Sequence, residues 1–523
     1  MVHVVILDGY TDEPAGLGVP PYMDVYARYI AGAVWSADKH ARVDYFTIDE
    51  VRGRWSSFAG LASRADFLVV IAGVVVPGRY LGGTPITREE VLRIPRVISG
   101  PKKILVGPAA RFGFWHGDAG TESLRKGVYD VVIPGDPEIV IYAIVKDGVA
   151  AANPYAVRRD FSLTSRFAVR GARIVLQHPN HGLNLIVELE TFRGCPRWLS
   201  GGCSFCIEPR YGRVIMRSPR DIVEEVSILY RLGVRGFRLG RQSDILVYGS
   251  AEVNRVEYPR PNPSALSSLL RGIRRVAPSV QVLHVDNANP MTIARYREEA
   301  GEALKAIVRW HTPGDTLAFG VESIDPSVVE ENNLGVERVG ILEAIEAVNE
   351  VGRTRGWTGL PELLPGLNFV LGLPGESGET LKLYRLFLEE ILRSGLLIRR
   401  VNIREVAVLE GTPLFLRKWR PPRRKYRGFK LWVRRVFDKA MLRRLAPKGT
   451  VLRRLYVEGY AEDGRLYARQ PASYPLTVFL EQPAPLWSRV DVVVTGHGSR
   501  SLRGRPLGVV ASRRVYTGSI RHP

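Results

Sequence analysis

The chain has 523 residues, 45% hydrophobic and 24% charged, the proportions of a folded protein and too long for one ordinary core, so three or so domains are expected. No apolar run reaches membrane-spanning length, and the start, Val2-His3-Val4-Val5-Ile6-Leu7-Asp8-Gly9, lacks the basic leader and cleavage site of a secretory signal; no membrane partner and a cytoplasmic, reducing setting are expected. The net charge of +21 is uneven: Arg417–Pro523 carries 25 Lys and Arg against 6 Asp and Glu, the preceding residues 49 against 47, so the tail is either a solvated basic face or the footprint of a polyanion.

Residues 1–165 alternate strand and helix signals. Strands are predicted at Val2–Leu7, Phe67–Ala72, Lys103–Val106 and Val128–Ile133, each ending at Gly, Pro or Asp, with a helix over Tyr22–Ser36. This reads as an open, Rossmann-like parallel α/β sheet. Residues 166–416 repeat a strand–loop–helix rhythm, with strands predicted at Leu185–Glu190, Gly236–Leu239, Val280–Val285, Thr316–Gly320, Gly366–Leu371 and Arg400–Val406, and helices such as Pro219–Leu232 and Arg338–Val351 between them. Six such units predict a partial (β/α)6 barrel of the TIM type, with its functional groups at the C-terminal ends of the strands. Residues 417–448 form a basic, aromatic-rich linker holding Trp419, Tyr426, Phe429, Trp432 and Phe437, read as a docking face rather than a base-stacking surface. Over 449–515 short strands at Leu455–Glu458, Leu466–Ala468, Thr477–Leu480 and Val490–Thr495 predict a small β-barrel of about five strands.

All three cysteines follow the first strand of the middle unit: Cys195, Cys203 and Cys206, in a loop that also holds Gly194, Gly201 and Gly202. Three thiolates can hold three corners of a 4Fe–4S cluster, which ordinarily takes four, and the fourth iron is then open to a small molecule, as in catalytic rather than closed metal sites. Zinc with a distant histidine, or buried core thiols, are the plainer readings; the clustering speaks against the second, and spacers of seven and two residues are unusual for the first. Other polar residues at strand ends are candidates for the barrel mouth: Arg238, His284, Asp286, Asn287, Arg404 and Glu405. Asn289 before Pro290 reads equally as a helix cap.

The run Cys203-Ser204-Phe205-Cys206 resembles the second half of the C-x3-C-x-aromatic-C signature of radical S-adenosylmethionine (SAM) enzymes, with a longer first gap. Further elements in the matching order resemble that family's methylthiotransferase-like core: Leu239-Gly240-Arg241-Gln242, Gly320-Val321-Glu322-Ser323, Gly372-Leu373-Pro374-Gly375-Glu376 and Glu410-Gly411-Thr412-Pro413. The resemblance implies cluster ligation by Cys195, Cys203 and Cys206. It also implies SAM contacts from Phe205, Gly240, Arg241, Gln242, Glu322, Ser323, Gly372 and Leu373, and reductive cleavage of SAM to a 5′-deoxyadenosyl radical. A reductant protein such as ferredoxin or flavodoxin would supply the electron. Gly18-Val19-Pro20-Pro21-Tyr22 and Val132-Ile133-Pro134-Gly135-Asp136-Pro137-Glu138 resemble the cobalamin-binding-like domain found ahead of such cores. Asp8 is followed by Gly9-Tyr10-Thr11 without the ligating histidine, so cobalamin is not expected.

The tail resembles the RNA-binding TRAM domain in Gly464–Gln470, Ser473-Tyr474-Pro475 and Val492–His497. That likeness implies RNA contacts from Arg465, Tyr467, Arg469, Tyr474, His497 and Arg500. The expected function is RNA modification, of tRNA above all; the alternatives are a radical SAM enzyme for a small molecule or a protein, and a non-catalytic iron–sulfur protein that binds RNA.

Overall fold

The computed structural model describes residues 1–13, 16–74, 82–115, 120–124, 127–422 and 426–511, so the last residues assigned to the tail domain, 512–515, lie outside the described ones. No helix among the described residues is long and apolar enough to cross a membrane.

The N-terminal strands are β1 (His3–Asp8), β2 (Tyr22–Met23), β3 (Arg42–Thr47), β4 (Phe67–Ile71), β5 (Lys102–Val106) and β6 (Val131–Val132). All but β2 form one parallel sheet in the order β6-β5-β4-β1-β3. With β2 set aside this is the flavodoxin-like order 2-1-3-4-5, whose ligand crevice lies where connections leave in opposite directions, between β1 and β4. Apolar residues of alternate parity cover the two faces: Val5, Leu7, Leu68 and Val70 on one, Val4, Ile6, Val69 and Ile71 on the other. Gly9 closes the end of β1, where a Cβ would stand 2.6 Å from the Ile71 carbonyl oxygen.

The helix expected from Tyr22 begins later, because Tyr22–Met23 is extended and pairs with the middle unit. Asp24 then caps α1 (Val25–Ala37) by accepting from the Val25 N–H. The strand β3 was missed because Arg42, Asp44 and Thr47 interrupt its apolar run.

The middle unit is built on β7 (Ile186–Glu190), β8 (Gly236–Gly240), β9 (Val282–His284), β10 (Asn287–Ala288), β11 (Asp315–Glu322), β12 (Leu363–Leu371) and β13 (Arg400–Glu405). Its parallel order is β2-β7-β8-β9, then β10-β11-β12-β13. The third strand of the six-unit barrel is thus broken at Val285-Asp286, one half pairing β8 and the other β11. Leu189, Phe237, Leu239, Phe319, Leu367 and Phe369 point out into the core beneath α4 (Pro219–Arg231) and the other helices, and that core is continuous with one face of the N-terminal sheet.

The inward positions are polar and differ by side. Glu188, Arg238 and His284 are buried, whereas Asn368, Asn402 and Arg404 are half-buried. The lumen is therefore packed along β7–β9, where β11 also buries Thr316 and Ala318, and more exposed along β12 and β13.

Arg427–Leu445 is helical and lays Tyr426, Phe429, Trp432 and Phe437 on the barrel, Phe429 lying 6.0 Å from the Tyr384 ring and 6.4 Å from Trp432. The aromatic stripe is a docking face. Five strands close the tail barrel: β14 (Val451–Tyr460), β15 (Leu466–Arg469), β16 (Thr477–Leu480), β17 (Arg489–His497) and β18 (Ser501–Ala511). The alternating apolar residues of β14–β17 fill its interior, with Leu360 and Leu442 of the preceding units added to it.

Candidate active site at the mouth of the half-barrel

The cysteine loop leaves the C-terminal end of β7. Phe192–Arg193 pairs antiparallel with Ile215–Met216 and pinches the loop at its base. Between them Gly194, Gly201 and Gly202 take φ of 95°, 83° and 65°, the left-handed region that favours glycine. A Cβ on Gly202 would meet the Pro209 ring at 2.2 Å. These bends turn all three thiols into one half-buried place, where Cys203 raises the pKa of Cys195 and both raise that of Cys206. Burial, then Cys203, pushes Cys195 up to about 12; burial and the other two thiols push Cys206 well above its ordinary value. Thiols so desolvated become thiolates only against a compensating positive charge, which is what a bound metal supplies. Arg197 provides part of it, donating from Nη1 to Cys203 Sγ at 3.2 Å.

Among the described residues no three His, Cys, Asp or Glu side chains converge on a point that a single metal ion could occupy. That does not bear on a cubane, in which each thiolate binds its own iron.

Two residues that sequence reading passed over hold the loop. Asn332, buried, accepts from Ser204 Oγ at 2.7 Å, receives the Ser204 N–H on its carbonyl at 3.0 Å, and donates from Nδ2 to the Val328 and Pro374 carbonyls. Asn333, at φ 49°, donates to the carbonyls of Ser200 and Gly202, each at 3.0 Å. Leu414, in the Gly-Thr-Pro element, donates its N–H to the Ser204 carbonyl. The loop is thus pinned to the segments that follow β11, β12 and β13.

The SAM-contact candidates gather around the same mouth. Gly240 ends β8 against Glu188, whose Oε1 would lie 1.8 Å from an added Cβ. Arg241 and Glu322 both have φ of 60°, a conformation that costs non-glycine residues of order 1–3 kcal/mol and clusters at functional sites. Glu322 sits on a bulge of β11 that interrupts pairing with β12. Burial lifts its carboxyl to about 8, with Arg404 pulling the other way, and its charge raises the Cys203 thiol. Arg241 donates to Tyr26 at 3.2 Å, and burial lowers it to about 9. Gln242 is buried and braces the loop, donating to the Leu239 carbonyl and accepting from Thr191. Ser323 turns inward: its Oγ takes bonds from Tyr384 and from the Asp325 N–H, so its hydroxyl holds the turn rather than facing the mouth. Gly372, at φ 87°, donates its N–H to Glu376 Oε1 and accepts the Trp419 Nε1–H on its carbonyl; Leu373 is buried beneath, and Phe205 packs on the central core.

Of the mouth candidates, Asn289 caps a helix through the Met291 N–H, and Asn287 donates to the Gln242 carbonyl. His284 is buried, bonded to Thr312 and Ser473. Arg238 and Asp286 form a buried ion pair, Glu188 completing it at 2.7 Å. Glu405 faces outward to Lys430.

Four RNA-contact candidates are otherwise engaged. Arg469 is buried with Glu458 as an ion pair. Tyr474 lies inside the half-barrel, its hydroxyl on Asp286 at 2.9 Å. The ring of His497 bonds the Ala446 carbonyl at 2.7 Å, and Arg500 approaches Asp438 at 3.6 Å. Arg469 and Tyr474 are therefore corrected: Arg469 is spent on Glu458 within the tail barrel and Tyr474 on Asp286 of the half-barrel, which their sequence alone does not reveal. Arg465 and Tyr467 remain on the outer face, Arg465 lying 3.8 Å over the Phe479 ring.

The strand ends of the N-terminal sheet face this mouth. Beyond β5, Arg111 stacks on Tyr211 at 4.5 Å, Phe112 meets the same ring edge-on, and its carbonyl receives the Glu410 N–H. Beyond β6, Asp136 pairs with Arg193 at the base of the cysteine loop. Near Asp8 and Tyr10, which bond Tyr45 and Asp49, the buried His178 ring stacks on Tyr45 at 6.0 Å and accepts the Asn180 N–H on Nδ1 at 3.1 Å.

No protein-family model matches the chain. It is 42% identical over 516 residues, 96% of its length and 93% of the other's, to an uncharacterized protein of Methanocaldococcus jannaschii. It is 41% identical over 506 residues, 96% and 89%, to one of Archaeoglobus fulgidus. A shorter match, 25% over 179 residues and 36% of the other chain, is to the tRNA-2-methylthio-N(6)-dimethylallyladenosine synthase of Desulfotalea psychrophila. Among solved structures the fold is that of TsrM, a radical SAM methyltransferase of Kitasatospora setae, with a TM-score of 0.50 at 13% identity over 79% of this chain and 77% of that one. TsrM was solved with cobalamin and a 4Fe–4S cluster bound. The expectation against cobalamin, drawn from a missing histidine, is thereby overturned: a neighbour sharing the N-terminal and central architecture carries it. With the cysteine loop, the strand-end elements and this fold in hand, the chain belongs to one family with the two archaeal proteins, within the radical SAM superfamily.

Proposed function

We propose that this protein cleaves SAM reductively on a three-cysteine 4Fe–4S cluster and, with a cobalamin held in the N-terminal crevice, modifies RNA, tRNA being the expected substrate. The observation that carries the catalytic part is the set of three desolvated thiols clasped at a barrel mouth that faces the switch point of a flavodoxin-like sheet. When bound, the cluster supplies the electron that splits SAM into methionine and a 5′-deoxyadenosyl radical, and cobalamin offers a carrier for a methyl group. The chain's own part is to hold and shield. Asn332, Asn333 and Arg197 fix the loop. Glu322, raised to about 8, keeps its proton at neutral pH and offers a hydrogen bond from its carboxyl. A cobalamin would sit at the β1–β4 switch point, on the strand ends that face the mouth.

The RNA reading rests on the tail's charge and on one outward row of its barrel. Tyr467 pairs with Phe479 across β15 and β16, Phe479 with Arg503 across β16 and β18, and Arg465 covers Phe479. Aromatic faces beside arginines suit stacked bases and phosphates.

The test is anaerobic reconstitution with iron, sulfide and SAM under dithionite. The full chain is expected to hold one 4Fe–4S cluster and release 5′-deoxyadenosine, and Cys203→Ala to lose both. Zinc in place of iron in oxygen-protected protein, or cleavage undiminished in Cys203→Ala, overturns the catalytic reading. Nucleoside mass spectrometry of tRNA from cells with and without the gene tests the substrate; identical profiles count against RNA.

A further inference from the structure

The segment joining β15 and β16 leaves the tail barrel and enters the half-barrel from the end opposite the cysteines. Tyr22 donates its hydroxyl to the Ala472 carbonyl at 2.8 Å, and the Ser473 N–H donates to His284 Nδ1 at 2.9 Å. Gln470 donates to the Thr358 carbonyl at 2.8 Å, and Arg399 to the Tyr474 carbonyl. These bonds seat Gln470–Pro475 as the floor of the lumen. From that floor Tyr474 reaches inward. Its hydroxyl donates to Asp286 Oδ1 at 2.9 Å and takes a long bond from Arg238 Nη2 at 3.4 Å, while the Arg400 guanidinium lies over its ring at 3.9 Å. Arg238 belongs to β8 and Arg400 to β13, on opposite walls, so this ring bridges the lumen.

The charges there do not balance locally. Arg238 takes both Glu188 and Asp286. Arg400 faces inward on β13, its Cγ 3.1 Å from where a Cβ on Gly366 would stand, and it is half-buried. Among the described residues no carboxylate stands within ion-pair distance of it; what it has is the Tyr474 ring and the Asn402 amide, whose oxygen in its satisfied orientation accepts from Nη2 at 3.2 Å. Burial lowers its pKa, Arg404 adds to that, and only Tyr474 and Asp286 oppose it. A half-buried guanidinium facing the lumen, backed by an aromatic face and short of a counter-charge, is a receptor for a planar or tetrahedral oxyanion.

We propose that the lower lumen is an oxyanion subsite, in which Arg400, seated on Tyr474, holds a carboxylate or phosphate of the substrate. The tail barrel then contributes to the chamber itself and is more than a surface for RNA. This deepens the reading that the lumen receives substrate, and it does not require the cluster, so the two can fail separately.

The test is thermal unfolding of the full chain at fixed ionic strength, titrated with inorganic phosphate or with acetate. A saturable rise in midpoint with at least one probe is expected, lost in Arg400→Gln and kept in Arg271→Gln on the exposed face of the helix Pro263–Val276. A response to phosphate alone marks a nucleotide as the source, and to acetate alone a carboxylate substrate. No saturable response to either, or one that survives Arg400→Gln, overturns the proposal. Should Arg400→Gln fold poorly, crystals of the unaltered protein grown with selenate decide: an anomalous peak beside Arg400 supports the subsite, and peaks only elsewhere refute it.

Discussion

At the scale of single residues, the cysteines could be read directly because their chemistry is local: three thiols within twelve positions, with glycines to bend the loop. Asn332 and Asn333 could not, since each acts on a loop more than a hundred positions away and Asn-Asn is an ordinary pair in sequence. The buried Asn332 amide satisfies Ser204 and two carbonyls at once. Asn332→Ala leaves these groups unpaired and is expected to destabilise by about 2–3 kcal/mol. Iron content after reconstitution should fall with it, which a purely global loss of stability, matched by a core substitution of equal midpoint, would not reproduce.

Glu188 carries a second residue-scale prediction. Two carboxyls share Arg238, and burial lifts Glu188 to about 8 from an ordinary 4.5, with Arg238 only partly offsetting it. A raised folded pKa means that the proton is bound more tightly in the folded state. This contribution to stability is complete below about 4.5 and is lost as pH climbs through 8. Glu188→Gln, which fixes the neutral form, is expected to flatten the fall of the unfolding midpoint between pH 5 and 8; an unchanged slope would mean that Glu188 is ionised throughout.

At the scale of elements, the strands of the central unit announced themselves because buried parallel strands are continuous apolar runs. What periodicity could not show was that Tyr22–Met23 pairs with β7, since two residues carry no period. That short strand brings α1 under the barrel, and Arg28 of α1 then meets Glu225 of α4 at 2.9 Å, with Arg217 on the other carboxylate oxygen at 2.6 Å. All three side chains are fully buried. Burial weighs against the Glu225 charge, but Arg217 and Arg28 outweigh it and hold its pKa below the ordinary value. Glu225→Gln strands two guanidiniums in the interior and is expected to cost about 3–5 kcal/mol, read as a lower denaturation midpoint. A loss below 1 kcal/mol would show that water reaches this seam between the N-terminal unit and the barrel.

At the scale of the whole molecule, the three architectures were foreseeable and their mutual engagement was not, because inter-unit contacts leave no pattern in either partner. The tail's resemblance implies RNA contacts from Tyr474 and Arg469, yet Tyr474 is spent inside the half-barrel and Arg469 on Glu458 of the tail barrel itself. The tail is a wall of the chamber on one side, with its free basic groups on the other. That separation makes RNA binding testable without disturbing the fold. Arg465, Arg503 and Arg505 are exposed and lie on or beside the Tyr467–Phe479 row, and Arg465 is held there by the surface carboxylate of Asp463 and the face of Phe479. Surface pairs of this kind add little stability. The triple change to Glu is expected to leave the unfolding midpoint within about 2 °C, since surface substitutions usually stay within ±0.5 kcal/mol. If each arginine meets one phosphate, the log–log salt slope of tRNA retention should fall by about 2. Retention with the original slope in the triple variant would place the polyanion elsewhere, and retention lost together with the fold would show the row to be structural.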